Sequence, residues 1–241
     1  MYRNLSMKEK ITLLRPVNVV HKKDKYNIPI MNKVTENMLD IDNLKAMNIQ
    51  NLRLNHNNSQ HIVFMFREDK YLKRYWEDPL KYIPRLQSAS CVTTPDFSVD
   101  PKMDDEEYRH EIYKARWLGC FWQDAGICCL PTAMWTTEEK YDLCFSSIPY
   151  GSIVVVSTLG AGSNASEFLN GYNELMRRIQ PPLVIVYGDM IAGMYGKFIN
   201  FKYKDCFEKN TMQCEQLKLP FSHSPIFIVR REDDGQSRIV C

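Results

Sequence analysis

The sequence predicts an α/β fold built from repeated βα units. Its mainly parallel sheet is expected to form an incomplete TIM-like barrel or an open doubly wound sheet. Five short apolar runs lack internal alternation, as strands covered on both faces of a parallel sheet do. The runs begin about 30 residues apart, the length of a strand and its crossover helix. Helix-like segments follow them, so strands and helices are expected to alternate along the chain.

The predicted strands share a continuous apolar stretch that ends in small or polar residues. The five core strands are His61–Phe66, Cys91–Thr94, Ile127–Leu130, Ser152–Ser157 and Leu183–Tyr187. Two further strands are expected at Phe198–Tyr203 and Pro225–Val229, because both runs are rich in aromatic or β-branched residues. The polar segment Arg230–Cys241 is typical of a mobile tail.

Capping patterns mark the start of two predicted helices. Asn164 with Glu167 opens a helix after the fourth strand, and Pro181 stops it. Thr136 with Glu139 forms a second capping box before a shorter helix. Both helices carry apolar residues at helical spacing, so each is expected to pack one face against the sheet.

Other helices are predicted from charge and from helix-breaking residues. The acidic run 104–107 suits a first helical turn, and Gly119 is the expected end of that helix. The segment 69–87 is predicted to be helical in two pieces, with Pro84 disrupting the second piece. A short helix is expected around 42–47.

Composition indicates a globular protein of a size that one α/β domain commonly reaches. The chain has 241 residues, of which 44% are hydrophobic and 25% charged. No apolar run approaches the length of a membrane span, and no secretory signal opens the chain. We therefore expect a soluble, cytoplasmic protein without a membrane partner.

Charge is distributed unevenly along the chain. Residues 1–33 carry eight Lys and Arg against two acidic residues, or +6, whereas the whole chain carries +2. This predicts a basic amino-terminal arm at 1–33, a single α/β domain at 34–229 and the tail at 230–241. Such an arm suits nucleic-acid binding, although a solvated terminus without a partner explains the same pattern.

The eight cysteines argue against a zinc site because no CxxC pair occurs among them. They are expected to be buried free thiols in a reducing compartment. Cys128 and Cys129 should point to opposite faces of the third core strand. No metal site is predicted, and the residues identify no cofactor.

Candidate catalytic residues follow from where the strands end, because functional groups of parallel α/β folds gather at the carboxyl ends of strands. Asp96 follows the second core strand, whereas Tyr187 ends the fifth and Asp189 follows it. A carboxylate or phenol there suits proton transfer or acceptance of a ligand hydroxyl. A loop-capping role for Asp96 is the simpler alternative.

The third and fourth core strands supply the candidate ligand-binding residues. A glycine turn before a helix lets backbone N–H groups approach a phosphate, whereas an aromatic side chain stacks on a base or sugar. The predicted residues are Thr132, Trp135, Ser157, Thr158, Gly160, Gly162 and Ser163. A simple turn and aromatic packing are the structural alternatives. Familiar catalytic motifs such as HExxH and GxSxG are missing, so no enzyme class is assigned.

The sequence resembles an uncharacterised bacterial and bacteriophage family, the domain of unknown function forty-four seventeen, over roughly residues 60–190. The similarity rests on an ordered series of blocks. In chain order they are Trp76, Pro79, Tyr82, 94–98 (TPDFS), 115–126 (ARWLGCFWQDAG), Pro131, Trp135, 148–158 (IPYGSIVVVST) and 182–188 (PLVIVYG). Pro84 departs from the family pattern, and the residues before 60 and beyond 200 lie outside it.

The resemblance implies an origin on phages or other mobile elements, and hence a host-takeover, replication-associated or counter-defence role in the host cytoplasm. It assigns no activity. From their place between a helix and the third core strand, Trp122 is expected to be a core residue, and Gln123 is expected to satisfy backbone groups in the turn that follows.

Three functional hypotheses result. The first is a phage-type accessory protein that binds a nucleotide or another phosphorylated small molecule at the strand ends. The second is a protein-binding inhibitor of a host factor such as a defence system, which exposure of Tyr71, Tyr75 and Trp76 would favour. The third is a replication accessory protein that binds nucleic acid through residues 1–33.

Overall fold

The computed structural model describes residues 21–206 in full and, beyond them, the backbone of three strands at 214–217, 226–230 and 237–240. The chain forms two compact units, Met1–Phe207 and Glu208–Cys241. The first unit contains all of the predicted site residues.

Residues 21–206 of the first unit contain seven strands that are parallel to their neighbours. Their bounds are β1 Lys45–Asn48, β2 Asn58–Phe64, β3 Ala89–Thr93, β4 Cys129–Leu130, β5 Val154–Ser157, β6 Val184–Tyr187 and β7 Phe198–Phe201. The five predicted core strands correspond to β2 to β6, and the predicted strand at 198–203 corresponds to β7. Six of the seven were therefore predicted from apolar runs.

The strands form two parallel sheets, with orders β1-β2-β3-β4 and β5-β6-β7. A parallel bridge between Thr132 and Val155 joins them, and the Ala133 N–H donates to the Val155 carbonyl at 2.8 Å. Neighbours in space thus follow chain order, which confirms the predicted parallel α/β fold. Among the described residues β7 does not pair with β1, so closure into a barrel stays a prediction.

Within residues 21–206, five α-helices flank the sheets. Their bounds are α1 Asp69–Glu77, α2 Ile83–Leu86, α3 Asp105–Asp124, α4 Tyr141–Phe145 and α5 Ala165–Ile179. Short 3-10 turns precede α2, α4 and α5, at Leu80–Tyr82, Glu138–Lys140 and Ala161–Asn164. Pro84 lies in the first turn of α2, where its missing N–H costs nothing.

The buried side chains form two clusters, one on each face of the strands. Within β6, Val184 and Val186 join the cluster that the helices cover, whereas Ile185 and Tyr187 join the other. Strands of both sheets contribute to the second cluster, and Val34 and Leu44, from the segment before β1, are also members of it. The alternation follows the two-residue period of a strand.

The helix α3 begins as predicted but ends later. The Asp104 carboxylate accepts the N–H of Glu107 at 2.8 Å, and the helix runs to Asp124 rather than ending at Gly119. A Cβ at Gly119 would lie 2.6 Å from Met31 Cε and 2.7 Å from the methyl carbon of Thr94. Glycine is there because neighbouring segments approach closely, and the prediction of a helix end was wrong.

The region around residues 42–47 was also misassigned. It contains a 3-10 turn at Ile41–Asn43 and then β1, whose residue Lys45 pairs with His61 of β2. Two charged or polar residues flank the Ala46–Met47 pair of this strand, so no apolar run marks it. An edge strand of this kind leaves a weak sequence signal, because it is only partly covered.

The described part of the predicted amino-terminal arm packs on the body. Ile28 and Met31 are buried in the helix-covered cluster. The Asp24 carboxylate accepts the N–H groups of Tyr26 and Ile28 at 2.8 and 2.9 Å, which shapes a tight turn. Residues 1–20, which carry four of the eight basic residues, lie outside the described residues.

The second unit contains an antiparallel sheet with the order β10-β9-β8. The strands are β8 Cys214–Leu217, β9 Ile226–Arg230 and β10 Ser237–Val240. The run predicted at 225–229 corresponds to β9, whereas β10 falls in the segment predicted to be a mobile tail. None of the helices in the described ranges is long and apolar enough to cross a membrane.

Candidate functional site

The carboxyl ends of distant strands meet at one place in the first unit. The Tyr187 ring, at the end of β6, stacks on Phe66 just beyond β2, with centroids 4.6 Å apart and an interplanar angle of 13°. Tyr187 also lies 4.8 Å from Phe64 and 6.0 Å from Tyr203, which is half-exposed. These rings form an aromatic floor at the edge where the strands end.

Tyr187 itself is fully buried in this floor. Its hydroxyl makes no hydrogen bond of good geometry within residues 21–206, although the Asn48 side chain lies close enough to favour the phenolate slightly. Burial dominates and holds the pKa of the phenol above its usual range. Tyr187 is therefore a neutral hydrogen-bonding group at the pH of a cell.

Asp96 lies in the loop that follows β3, at the same edge. Its N–H donates to the Met65 carbonyl at 3.3 Å, which places the loop beside the end of β2. Burial raises the pKa of the Asp96 carboxyl to about 7, and the charge of Asp69 adds to this shift while Arg116 opposes it. A carboxyl with this pKa exchanges protons near neutrality, as a general acid or base must.

Thr132, a predicted ligand-binding residue, is engaged in the fold. Its hydroxyl donates to the Thr94 carbonyl at 2.9 Å, and its N–H donates to the Thr94 hydroxyl at 2.9 Å. The two threonines thereby lock the end of β3 to the end of β4. Thr132 is 1% exposed, and its hydroxyl proton is already used in the bond to Thr94.

Arg116 lies behind this lock and is fully buried. Its guanidinium donates to the Thr132 carbonyl at 2.9 Å, the Ser147 hydroxyl at 3.1 Å and the Cys144 carbonyl at 3.5 Å. Burial lowers the pKa of Arg116 to about 10, so the group stays charged. Its hydrogen bonds tie α3 to the chain on both sides of α4.

The turn after β5 carries five of the predicted ligand-binding residues. Thr158 is held by its N–H to the Tyr187 carbonyl at 3.0 Å, and the Ser157 hydroxyl accepts the N–H of Leu159 at 3.3 Å. Gly160 has φ +76°, a conformation that favours glycine, and its carbonyl accepts the Ser163 hydroxyl at 3.0 Å. Gly160, Gly162 and Ser163 are exposed, and a Cβ at either glycine would meet open space.

Two predicted residues have different surroundings. Asp189 is exposed just beyond β6. Trp135 is half-buried and packs on α4 and α5, with its ring 5.0 Å from Phe168 and 5.9 Å from Phe145. The structure therefore shows packing by Trp135 against helices, which was the alternative explanation for this residue.

A surface groove of about 730 Å³ lies between α5 and the segment that leads into α4. No predicted site residue is among the described residues that line this groove. Four glutamates and two arginines line the groove, and the Glu174 carboxylate pairs with Arg177 at 2.7 Å and with Arg178 at 2.5 Å. In the described part of the chain no three His, Cys, Asp or Glu side chains come close enough to hold a metal ion.

Thr158 and Tyr187 are hydrogen-bonded at the ends of β5 and β6, and Asp96 lies beside the end of β2 through its bond to Met65. The sequence analysis missed Asn48, Phe66 and Asp69 at that edge. Asn48 ends a strand that was not predicted, while Asp69 begins a helix and resembles an ordinary first-turn acid. Phe66 ends a predicted core strand, whereas the sequence gives no direct signal for Asn48 and Asp69.

The family model for "Domain of unknown function (DUF4417)" matches residues 20–204. The chain belongs to this family. The name of the family assigns no activity. The match begins one residue before the described part of the first unit and ends within its last 3-10 turn, Tyr203–Cys206. It includes all seven strands, β1 to β7.

Two phage proteins are similar to this member of the family. A "Gene 1 protein" of Mycobacterium phage D29 is 36% identical over 129 residues, which is 52% of this chain and 48% of the relative. A "Gene 1 protein" of Mycobacterium phage L5 is 35% identical over 131 residues, or 53% and 57% of the two chains. The chain spans about half the length of these curated relatives, and it is a phage-type protein. No solved structure shows significant similarity to it.

Two further positions of the family pattern have structural roles here. Trp122 is fully buried, as predicted. The Gln123 amide donates to the carbonyls of Asn32 and Cys129, both at 3.0 Å, and its oxygen accepts the Asn32 N–H at 2.8 Å. Gln123 therefore connects α3 to β4 and to the segment before β1, and it satisfies backbone groups as expected.

Proposed function

We propose that this phage-type protein binds a nucleotide or another phosphorylated small molecule at the carboxyl ends of its parallel strands. The observation that carries the proposal is the stacking of Tyr187 on Phe66 at 4.6 Å, because it brings the ends of β2 and β6 to one place. Parallel α/β folds bind ligands at this edge.

The chemistry of the edge supports a ligand with both polar and flat parts. Tyr203 is half-exposed beside the aromatic floor, where a base can stack on it. The exposed turn at 160–163 presents backbone N–H groups at the start of α5, which is favourable for a phosphate. Asp96 and Asp189 supply carboxyl groups that accept hydrogen bonds from ligand hydroxyls.

A calorimetric titration of the full chain with a panel of ribonucleoside and deoxyribonucleoside triphosphates tests the proposal. At least one should bind, and Asp96→Asn and Asp189→Asn should each weaken it by about tenfold, as expected when a hydrogen bond to a charged group is lost. Asp100→Asn, on the same loop but exposed, serves as the matched control. Unchanged affinity in both variants for each ligand that binds would refute the proposal.

The second hypothesis, a protein-binding inhibitor, receives less support from the described surface. Tyr75 is fully buried and Trp76 is half-buried against Trp117, whereas Tyr71 is 36% exposed. The aromatic patch that would favour this hypothesis is therefore not formed. Nucleic-acid binding through residues 1–33 stays a hypothesis, and steep salt dependence that disappears on removal of residues 1–20 would support it.

A further inference from the structure

Four buried hydrogen-bond donors near α1, α2 and α3 lack an acceptor. They are the Tyr75 hydroxyl, Nε of Arg74, Nε of Arg85 and the indole N–H of Trp122, and within residues 21–206 none has a hydrogen-bond partner. Guanidinium and indole N–H groups can only donate. Buried polar groups are normally satisfied, so an excess of donors at one place requires an explanation.

These donors are neighbours around the Tyr75 ring. Trp122 meets the ring edge-on with centroids 6.3 Å apart, and the guanidinium carbon of Arg74 lies 5.4 Å from the ring centroid. Arg85 donates through Nη2 to the Ile49 carbonyl at 2.8 Å, which fixes it beside the segment that follows β1. The Tyr75 side chain is 0% exposed, so an anion has to enter between the half-buried arginines to reach its hydroxyl.

Positive charge exceeds negative charge in this region, since residues 67–85 carry six Lys and Arg against four acidic residues. Arg67, just beyond β2, lies over the Tyr71 ring at 4.1 Å, and its charge acts on the Tyr75 phenol together with those of Arg74 and Arg85. In the described part of the chain none of the three arginines pairs with a carboxylate. Nearby acids have other partners, since Glu68 pairs with Lys70 at 2.6 Å, Glu77 pairs with Lys73 at 3.3 Å and Asp69 accepts the Ser98 N–H at 3.1 Å.

We propose that Arg67, Arg74, Arg85 and the Tyr75 hydroxyl form a binding site for a phosphoryl group. A phosphoryl group offers several oxygen acceptors and negative charge, and arginine forks match its geometry. A water molecule fits less well, because it must also donate and the orphaned atoms are mostly donors. The half-buried position of the arginines selects a compact anion over the backbone of a nucleic-acid duplex.

This site differs from the strand-end edge proposed above. It lies in the helix-covered layer that contains Tyr75 and Trp122, whereas Tyr187 belongs to the cluster on the opposite face of the strands. The two sites can therefore fail independently. Asp96→Asn is expected to leave phosphate binding at the arginine site unchanged.

The test compares binding of inorganic phosphate, adenosine 5′-monophosphate and adenosine to the full chain by calorimetry. We expect phosphate or the monophosphate to bind and adenosine not to compete. Tyr75→Phe removes one hydroxyl and should weaken binding by about tenfold, and Arg74→Gln should weaken it by at least as much. Arg109→Gln, a partly exposed arginine on α3 that pairs with Glu106, is the matched control.

Thermal unfolding in sodium phosphate and in sodium chloride of equal ionic strength gives a second readout. The melting temperature of the natural chain and of Arg109→Gln should rise in phosphate, whereas that of Tyr75→Phe should rise less. If the variants lose binding of inorganic phosphate, the site takes the free ion. If they lose binding of adenosine 5′-monophosphate alone, the site takes a phosphorylated small molecule. Equal binding by all variants, or none by the natural chain, overturns the proposal.

Discussion

The surroundings of Arg116 and those of Tyr75 are two buried polar regions with opposite hydrogen-bond balance. Around Arg116 the donors find oxygens, from Thr132, Ser147 and Cys144. Around Tyr75 the donors outnumber the acceptors. A network in which every buried donor has an acceptor stabilises the packing of its elements. Buried donors without acceptors can instead bind a ligand that supplies acceptor atoms. The same residue type, arginine, thus has a structural role in one region and a proposed binding role in the other.

The largest expected effect is that of Arg116→Met. Three buried oxygens lose their donor, so the free energy of unfolding should fall by about 3 kcal/mol or more. Urea denaturation followed by circular dichroism measures it. Arg109→Gln, which breaks a partly exposed ion pair, should change stability by about 0.5 kcal/mol or less. A loss below about 1 kcal/mol for Arg116→Met would show that the network does not support the fold.

A smaller loss is expected for Thr94→Val. The substitution keeps the shape but removes the hydroxyl that accepts the Thr132 N–H at 2.9 Å. Leaving that buried N–H without a partner should cost about 1–2 kcal/mol in the same denaturation experiment. Thr35→Val, which alters a partly exposed hydroxyl before β1, is the control. If both variants unfold alike, the threonine lock contributes nothing.

Asp96 provides a pH test beside the Arg116 network. Because its pKa rises from 3.8 to about 7 on folding, the folded state binds this proton more tightly. Its contribution to stability is therefore complete below about pH 4 and is lost as the pH rises towards 7. After discounting for solvent access the loss should be on the order of 1 kcal/mol.

The comparison of Asp96→Asn with the natural chain isolates this contribution. Free energies of unfolding at several values between pH 4 and pH 8 should fall less steeply for the variant. Asp100→Asn, at an exposed site, should keep the natural slope. Parallel curves for all three chains would mean that Asp96 titrates normally in the folded state.

The smallest effect on stability is expected for Tyr75→Phe. Since the hydroxyl has no partner in the described part of the chain, its removal should leave the free energy of unfolding within about 0.5 kcal/mol or raise it. Tyr108→Phe is a sharp contrast, because that hydroxyl bonds to Thr136 Oγ1 at 2.9 Å and to Cys144 Sγ at 3.1 Å. It should cost about 1 kcal/mol. A larger loss for Tyr75→Phe would place its hydroxyl in a satisfied network.

The strands of the first unit were predictable where side chains are buried on both faces. The runs at β5 and β6 are continuous apolar sequence, so their type and direction followed from composition and spacing. β1 was missed because it is short and mixed, and Gly119 was misread because glycine at a close helix contact resembles glycine at a helix end. Local sequence does not distinguish these two uses of glycine.

The site was predictable only in part. The position of Asp96 at a strand end followed from strand direction, and the parallel topology places the end of β6, with Tyr187, at the carboxyl side of its own sheet. The engagement of Thr132 and the packing of Trp135 depend on segments distant along the chain, which no local pattern reveals. Arg116 offered one signal, since it stands within an apolar stretch of α3, but its acceptors come from α4 and β4 neighbours.

The single bridge at Thr132 and Val155 has a mechanical consequence. Every other pair of neighbouring strands among β1 to β7 has at least two registered residue pairs, whereas the segments of β4 and β5 share this bridge and its flanking hydrogen bonds. A junction with so few hydrogen bonds is expected to open locally at a lower free energy than global unfolding requires. In native-state hydrogen exchange, the amides of Ala133 and Val155 should lose protection before those inside β6. The sheet β1-β2-β3-β4 and the sheet β5-β6-β7 would then unfold as separate cooperative units.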